Sequence, residues 1–171
     1  VLCAVPGSHM LLRAPTGEPR RLALATFAAA GVGAERIHFV ERQARCDYLD
    51  SYAGIDVCLD TFPYNGHTTS LDSLWMGVPV VTLVGKTVVG RAGLCHARNL
   101  GLDELVARTP DEFVARAVAL TANPNELAAL RNSLRARLSA SPLLDAPRFA
   151  RQLEQAYRLA WQAWCAEPTL G

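Results

Sequence analysis

Short apolar runs alternate with amphipathic stretches along the first two thirds of the chain, and then the runs stop. HMLLRA reads as a short strand, TGEP as a turn, and PRRLALATFAAAG as a helix closed by Gly31, a residue suited to a C-terminal cap. ERIHFVE is a second strand, with Ile37 and Phe39 alternating against His38 and Val40. RCDYLDSYAG predicts a short helix. IDVCLD predicts a third strand of nearly continuous apolar character, as strands covered on both faces of a parallel sheet have. TTSLDSLWMG is a helix closed by Gly77, and PVVTLVG a fourth strand opened by Pro79, where a ladder N–H can be spared. KTVVGRAGLCHARNLG predicts a loop leading into a helix, and LDELVA a last short strand. At the front, VLCAVP reads as the end of a helix whose earlier turns lie outside the chain.

From Thr109 onward the pattern is helical only: TPDEFVARAVALTAN, PNELAALRNSLRARLSAS, and a long segment from Ala146 to about Glu167. Thr109-Pro110-Asp111-Glu112 carries a cap residue, a proline in the first turn and acids behind it. Alternating strands and helices predict an α/β fold, a Rossmann-like, doubly wound parallel sheet flanked by helices. Residues 1–145 form that lobe, and 146–171 form a C-terminal helix expected to pack on it. Phe149, Leu153, Tyr157, Trp161 and Trp164 recur every three or four positions on this helix. They form one apolar stripe suited to the lobe's own core.

The stretch DTFPYNGHTT interrupts this regular pattern. It follows the third strand and leads into the next helix, and in open α/β sheets ligands bind outside the carboxyl ends of the strands. Asn65-Gly66 permits a positive φ and a close backbone approach. The first N–H groups of the helix attract phosphate oxygens, and Thr68, Thr69 and His67 add side-chain donors. Asp72, one turn further on, suits the vicinal hydroxyls of a ribose. A structural reading stands beside this one. Thr69 to Asp72 also reads as a capping box, and Asn-Gly is ordinary turn chemistry. Spacing alone leaves both open.

Composition narrows the classes. The 171 residues are half hydrophobic with a net charge of +1, which argues against a dedicated nucleic-acid binder. No apolar run reaches the roughly 20 residues of a membrane span, and VLCAVPGSHM lacks the basic region of a signal peptide. GSHM at positions 7–10 matches a tag-cleavage scar, but HMLLR continues it into a strand. Cys3, Cys46, Cys58, Cys95 and Cys165 are scattered and odd in number, neither a disulfide framework nor a zinc site, which points to a cytoplasmic setting. Asp56 and Asp60 share a strand face without a His/Cys cluster, so no metal site is expected, and Asp60 is expected to fix the loop's N–H groups. His9, His38 and His96 are read as structural. Cys95-His96 cannot act as a nucleophile pair, because adjacent helical side chains do not face each other.

IDVCLDTFPYNGHTTSLDSLWMGVPVVTLVGKTVVGR resembles the C-terminal catalytic lobe of the O-linked N-acetylglucosamine transferases, glycosyltransferase family 41. It is closest in pattern to tetratricopeptide-bearing bacterial relatives and the plant Spindly-like proteins. VPGSHMLLR, RIHFV, NLGLDELVA and RFARQLEQAYRLAWQAW fit the same pattern, so the likeness runs along essentially the whole chain. The resemblance implies the C-terminal half of a GT-B enzyme, inverting and metal-independent. Such an enzyme moves N-acetylglucosamine from UDP-GlcNAc to Ser/Thr hydroxyls of an acceptor protein, with the UDP-sugar as a substrate and no cofactor. At matching positions it implies that His67, Thr68 and Thr69 contact the diphosphate, Asp72 binds ribose, and Asn65 and Gly66 shape the loop. Gln43 to Tyr48 would border the nucleoside, Arg45 would stand where relatives use a lysine, and Gly85 and Arg91 would form a second loop near the site. For Arg91, helix capping or an inter-helix contact is the structural alternative. A lysine that helps neutralise the leaving UDP is expected just before Val1, and the N-terminal lobe outside the chain, so the isolated chain is expected to bind UDP weakly and transfer nothing. GT-B terminal helices often cross to the other lobe, which would leave part of the aromatic stripe exposed here. Rival readings are a GDP-fucose donor, an Asn acceptor, or a scaffold that has lost turnover.

Overall fold

The computed structural model describes residues 1–166. Five short strands carry the parallel pattern: β1 (Met10–Arg13), β2 (Ile37–Val40), β3 (Cys58–Leu59), β4 (Val80–Leu83) and β5 (Val106–Ala107). Seven α-helices are described with them: α1 (Glu18–Ala29), α2 (Arg45–Asp50), α3 (Thr68–Trp75), α4 (Ala92–Leu100), α5 (Pro110–Ala122), α6 (Pro124–Ala140) and α7 (Ala146–Ala166). Every ladder is parallel, but the hydrogen bonding falls into two sheets, β1-β2 and β3-β4-β5, where one sheet was expected. Part of the reason lies in the third predicted strand. Only Cys58 and Leu59 of IDVCLD join a ladder, and Arg131 of α6 donates to the carbonyls of Ile55 and Asp56 at its start. LDELVA likewise turns through a 3₁₀ segment, Asp103–Leu105, before its last two residues pair with β4.

Two cores match the two sheets. Leu2, Val32 and Ile37 pack with Met10, Leu12, Leu24, Phe27 and Phe39 around β1-β2. The larger core joins Leu74, Val80, Leu94, Leu100, Leu102, Leu105, Leu134 and Leu138. The front segment holds one α-turn (Val5 N–H to Val1 O, 3.0 Å) in place of a helix end, and Arg36 ties it down by donating to Leu2 O (2.8 Å) and Ser8 O (2.7 Å). The predicted helix ends are realised at Gly77, whose φ of 78° closes α3, with the Val78 N–H reaching Ser73 O at 2.8 Å. Thr109 caps α5 by accepting from the Glu112 N–H, while the Glu112 carboxylate accepts from the Arg108 N–H.

The terminal helix departs from its expected packing. No residue of α7 is buried; Phe149 is 64% exposed, Trp161 67% and Trp164 71%. Leu134 and Leu138 of α6, with Leu143, already cover the core where α7 leaves the lobe, so its stripe finds no partner there. The expected end near Glu167 lies outside the described residues. Among the described residues, no helix is long and apolar enough to cross a membrane.

Leu134→Ala is expected to lower the unfolding free energy by about 2–5 kcal/mol, and Trp161→Ser to change it by under about 0.5 kcal/mol, in urea denaturation of this chain. Comparable losses from both would mean that α7 is packed after all.

Candidate functional site

Asp60 ends β3 and organises the loop that follows. Its backbone N–H stays in the sheet, donating to Val81 O at 2.9 Å. Its Oδ1 accepts from the N–H groups of Thr61 (2.9 Å) and Gly66 (2.7 Å), and its Oδ2 accepts from the Thr82 hydroxyl (2.7 Å). The carboxylate thus folds the chain from 61 to 66 back on itself, in the role the sequence suggested for Asp60. Burial pushes its pKa up, and the same three donors pull it back down.

Asn65, fully buried, locks the loop from inside. Its amide donates to Thr61 O (2.9 Å), its backbone N–H to Val89 O (3.0 Å), and its Oδ1 accepts from the Gly93 N–H at 3.4 Å. Asn65 therefore joins the first loop to the second. Gly66 does not use a positive φ, contrary to the expectation for Asn-Gly; it is needed for space. A Cβ there would meet Ser70 Oγ and would lie 2.8 Å from Thr69 Oγ1.

The helix start is uncapped. His67 is the N-cap of α3 with no side-chain cap bond, and Leu71 is the first residue to donate within the helix, to His67 O at 3.1 Å. The N–H groups of Thr68, Thr69 and Ser70 therefore lack intrahelical partners at the positive end of the dipole. His67, Thr68 and Thr69 are exposed around them, with the Tyr64 ring 5.5 Å from that of His67. The capping-box alternative is not realised. Asp72 is the fifth residue of α3, too far along to reach back, and it takes a different partner.

That partner is Arg45, at the start of α2. Its guanidinium grips both carboxylate oxygens of Asp72, at 2.7 and 2.6 Å, and lies 5.5 Å from the Tyr48 ring centroid. The Tyr48 and Tyr52 hydroxyls sit 2.6 Å apart, and Tyr52 donates to Thr69 O at 3.3 Å, so α2 is docked along the side of α3. Gln43 is exposed at the entrance to this segment.

The second loop closes the site from the other side. The Gly85 N–H donates to Gly90 O at 2.6 Å, and a Cβ on Gly90 would lie 2.9 Å from Pro63 O. On Gly93 a Cβ would strike Thr82 Oγ1 and lie 2.6 Å from Asp60 Oδ2. Arg91 caps nothing with its side chain and, among the described residues, forms no ion pair; it is exposed at the head of α4. The structure thus brings Asn65, Gly66, His67, Thr68, Thr69, Asp72 and Arg45 together, with Gly85 behind them. Thr82, Gly90 and Gly93 were not singled out from sequence, although three glycines in GKTVVGRAG signal a close approach. Among the described residues no group of three His, Cys, Asp or Glu side chains gathers to hold a metal, and Asp56 points to Arg131 (3.8 Å).

An uncapped, exposed helix start braced by the half-buried Asp60 carboxylate thus stands at a strand's carboxyl end, and a profile of glycosyl transferase family 41 matches residues 1–153. The chain belongs to that family. This family 41 chain is 37% identical over 169 residues to a protein of Petunia hybrida named as a probable UDP-N-acetylglucosamine–peptide N-acetylglucosaminyltransferase SPINDLY. That alignment covers 96% of the chain and 18% of the relative. It is 36% identical over 170 residues to the Arabidopsis thaliana protein of the same description named SEC, covering 97% of the chain and 17% of the relative. A solved structure of a Thermobaculum terrenum O-GlcNAc transferase mutant superposes with a TM-score of 0.87 at 42% identity, over 96% of this chain and 32% of that one. The chain therefore spans under a fifth of the length of these plant relatives and about a third of the solved protein, and its parallel sheets and flanking helices are those of a GT-B enzyme.

Gly93→Ala is expected to cost about 1–3 kcal/mol of stability through overpacking against Thr82 and Asp60, measured by thermal or urea unfolding; an unchanged midpoint would contradict the packing described. Burial, and then the charge of His67, hold the His96 pKa below 6.5. The unfolded chain takes up that proton first, so stability is expected to fall as pH drops through about 6.5, and less so in His96→Gln. Equal acid sensitivity in the two proteins would remove His96 from the cause.

Proposed function

We propose that this chain is the donor-binding part of a protein glycosyltransferase that moves N-acetylglucosamine from UDP-GlcNAc to Ser/Thr hydroxyls of proteins, with inversion and without a metal. The observation that carries this reading is the uncapped start of α3, where unpaired N–H groups stand beside the Thr68 and Thr69 hydroxyls and His67. A diphosphate placed there receives several donors fixed before it arrives. Fixed donors stabilise charge on a leaving group without reorganising during the reaction. Asp60 and Asn65 supply that rigidity through their hydrogen bonds to the loop.

Asp72 would take the ribose hydroxyls, which requires Arg45 to release or share the carboxylate it holds bidentately. A freed Arg45 guanidinium would stay beside the nucleoside, at a position where the family resemblance places a lysine. Tyr48, beneath Arg45, offers an aromatic face to the nucleoside. The other GT-B lobe would contribute the acceptor cleft, so transfer belongs to the longer protein, and the names of the relatives support UDP-GlcNAc as donor and a polypeptide as acceptor.

Calorimetric titration of this chain with UDP and GDP tests the reading. UDP is expected to bind more tightly, and Asp72→Asn to weaken it by about tenfold, equivalent to about 1.4 kcal/mol. Tighter GDP binding would favour a GDP-sugar donor. Failure of both nucleotides at millimolar concentration would favour a scaffold. Sugar transfer by the pure chain alone would contradict the assignment of transfer to the longer protein.

A further inference from the structure

Beneath the first turn of α3 lies a small cavity lined by Ser70, Leu74, Val80, Gly93, His96, Ala97 and Leu102. Its walls are apolar except for the Ser70 hydroxyl and the His96 imidazole. His96 Nδ1 is buried and, among the described residues, has no hydrogen-bond partner. Leaving such a nitrogen unpaired costs free energy, and a side chain chosen only to fill space here would be a leucine. Gly93, one turn earlier on the same face of α4, is the residue whose missing Cβ lets the helix approach Asp60 and Thr82. The imidazole therefore lies on the hidden side of the loop whose outer side carries His67, Thr68 and Thr69.

We propose that His96 is a positioning residue of the donor site, which takes up a proton from solvent when a nucleotide diphosphate occupies the start of α3 and so tightens the hold on that anion. This rests on the donor-site reading above. Burial, and after it repulsion between the His67 and His96 rings when both carry a proton, disfavour the imidazolium, while Asp60 favours it. Other charges packed against α4 are directed elsewhere. Arg137 of α6 donates to the carbonyls of Leu100 and Gly101 at the far end, and Arg98 pairs with Asp103 on the outer face. A diphosphate beside His67 carries more negative charge than that ring can carry positive, so it outweighs the repulsion between the rings and joins Asp60 in favouring the imidazolium. The Ser70 hydroxyl oxygen lines the cavity as an acceptor for the new N–H. By linkage, whatever favours the proton when the anion is bound favours the anion when the proton is bound.

The test uses this chain and UDP-N-acetylglucosamine, whose diphosphate is esterified at both ends and does not itself titrate between about pH 5 and 8. Calorimetry in two buffers of different ionisation enthalpy measures proton uptake on binding, and NMR follows the His96 ring protons, assigned with His96→Gln. The expected result is uptake of a fraction of a proton near pH 6, a His96 signal moving toward its protonated position as ligand is added, and an affinity that rises by up to about tenfold per pH unit on acidification. His96→Gln is expected to flatten that profile and remove most of the uptake. Binding with a His96 signal that stays neutral, or with wild-type uptake in His96→Gln, would overturn this inference and leave the donor site standing. No binding at any pH would overturn both. The NMR signal in the unsubstituted chain decides the matter even if the variant folds poorly.

Discussion

The site depends on one carboxylate. Asp60 stands at the end of β3 with its backbone still in the sheet, so its side chain is fixed before the loop begins. It accepts two backbone N–H groups from the loop and one hydroxyl from the neighbouring strand. Each charge-assisted bond is worth more than a neutral one, and here all three serve to bend the same short segment. Gly66 and Gly93 follow from that constraint, since a side chain at either would collide with the groups gathered around Asp60. The loop adds no side-chain cap to α3, which leaves the helix's first N–H groups without intrahelical partners. A frame built from buried, well-paired polar atoms thus presents unpaired ones at the surface, which is what binding an anion requires.

Much of this was legible in the sequence, and the omissions have physical causes. The strand–turn–helix order around DTFPYNGHTT follows from hydrophobic period and turn residues, both local. The functional and capping readings of Thr69 to Asp72 could not be separated, because the helix begins only one residue before Thr69 and spacing does not reveal that. The Arg45–Asp72 pair joins residues on two different helices and is a tertiary fact without a local signature. Asn65 looked like turn chemistry. Its actual work, joining two loops through Val89 and Gly93, appears only when they are brought together. The division of the parallel strands into β1-β2 and β3-β4-β5 likewise has no local signature.

The amphipathic period of α7 shows that one face is apolar but does not name its partner. In this chain the core under α6 is already filled, and the aromatic face stays exposed. The contrast with α3 is informative. That helix is short and weak in intrinsic propensity, yet β4, α6, the loop before it and Tyr52 hold it in place while its first turn stays exposed. Arg45 adds a further constraint, because the acid suited to a ribose is already paired. In the proposed reading, ribose binding there would exchange one partner for another, so the affinity would reflect a difference between two good contacts.

The most direct test of the central claim is residue-resolved NMR of this chain during titration with UDP. An Asp60-braced anion site at the start of α3 predicts that the amides of Gly66, Thr68, Thr69 and Ser70 shift first and furthest. Gly93 and the Arg45 segment should follow, and the β1-β2 sheet should stay unchanged. Shifts confined to other parts of the chain, or a helix start that does not respond while UDP binds, would contradict it.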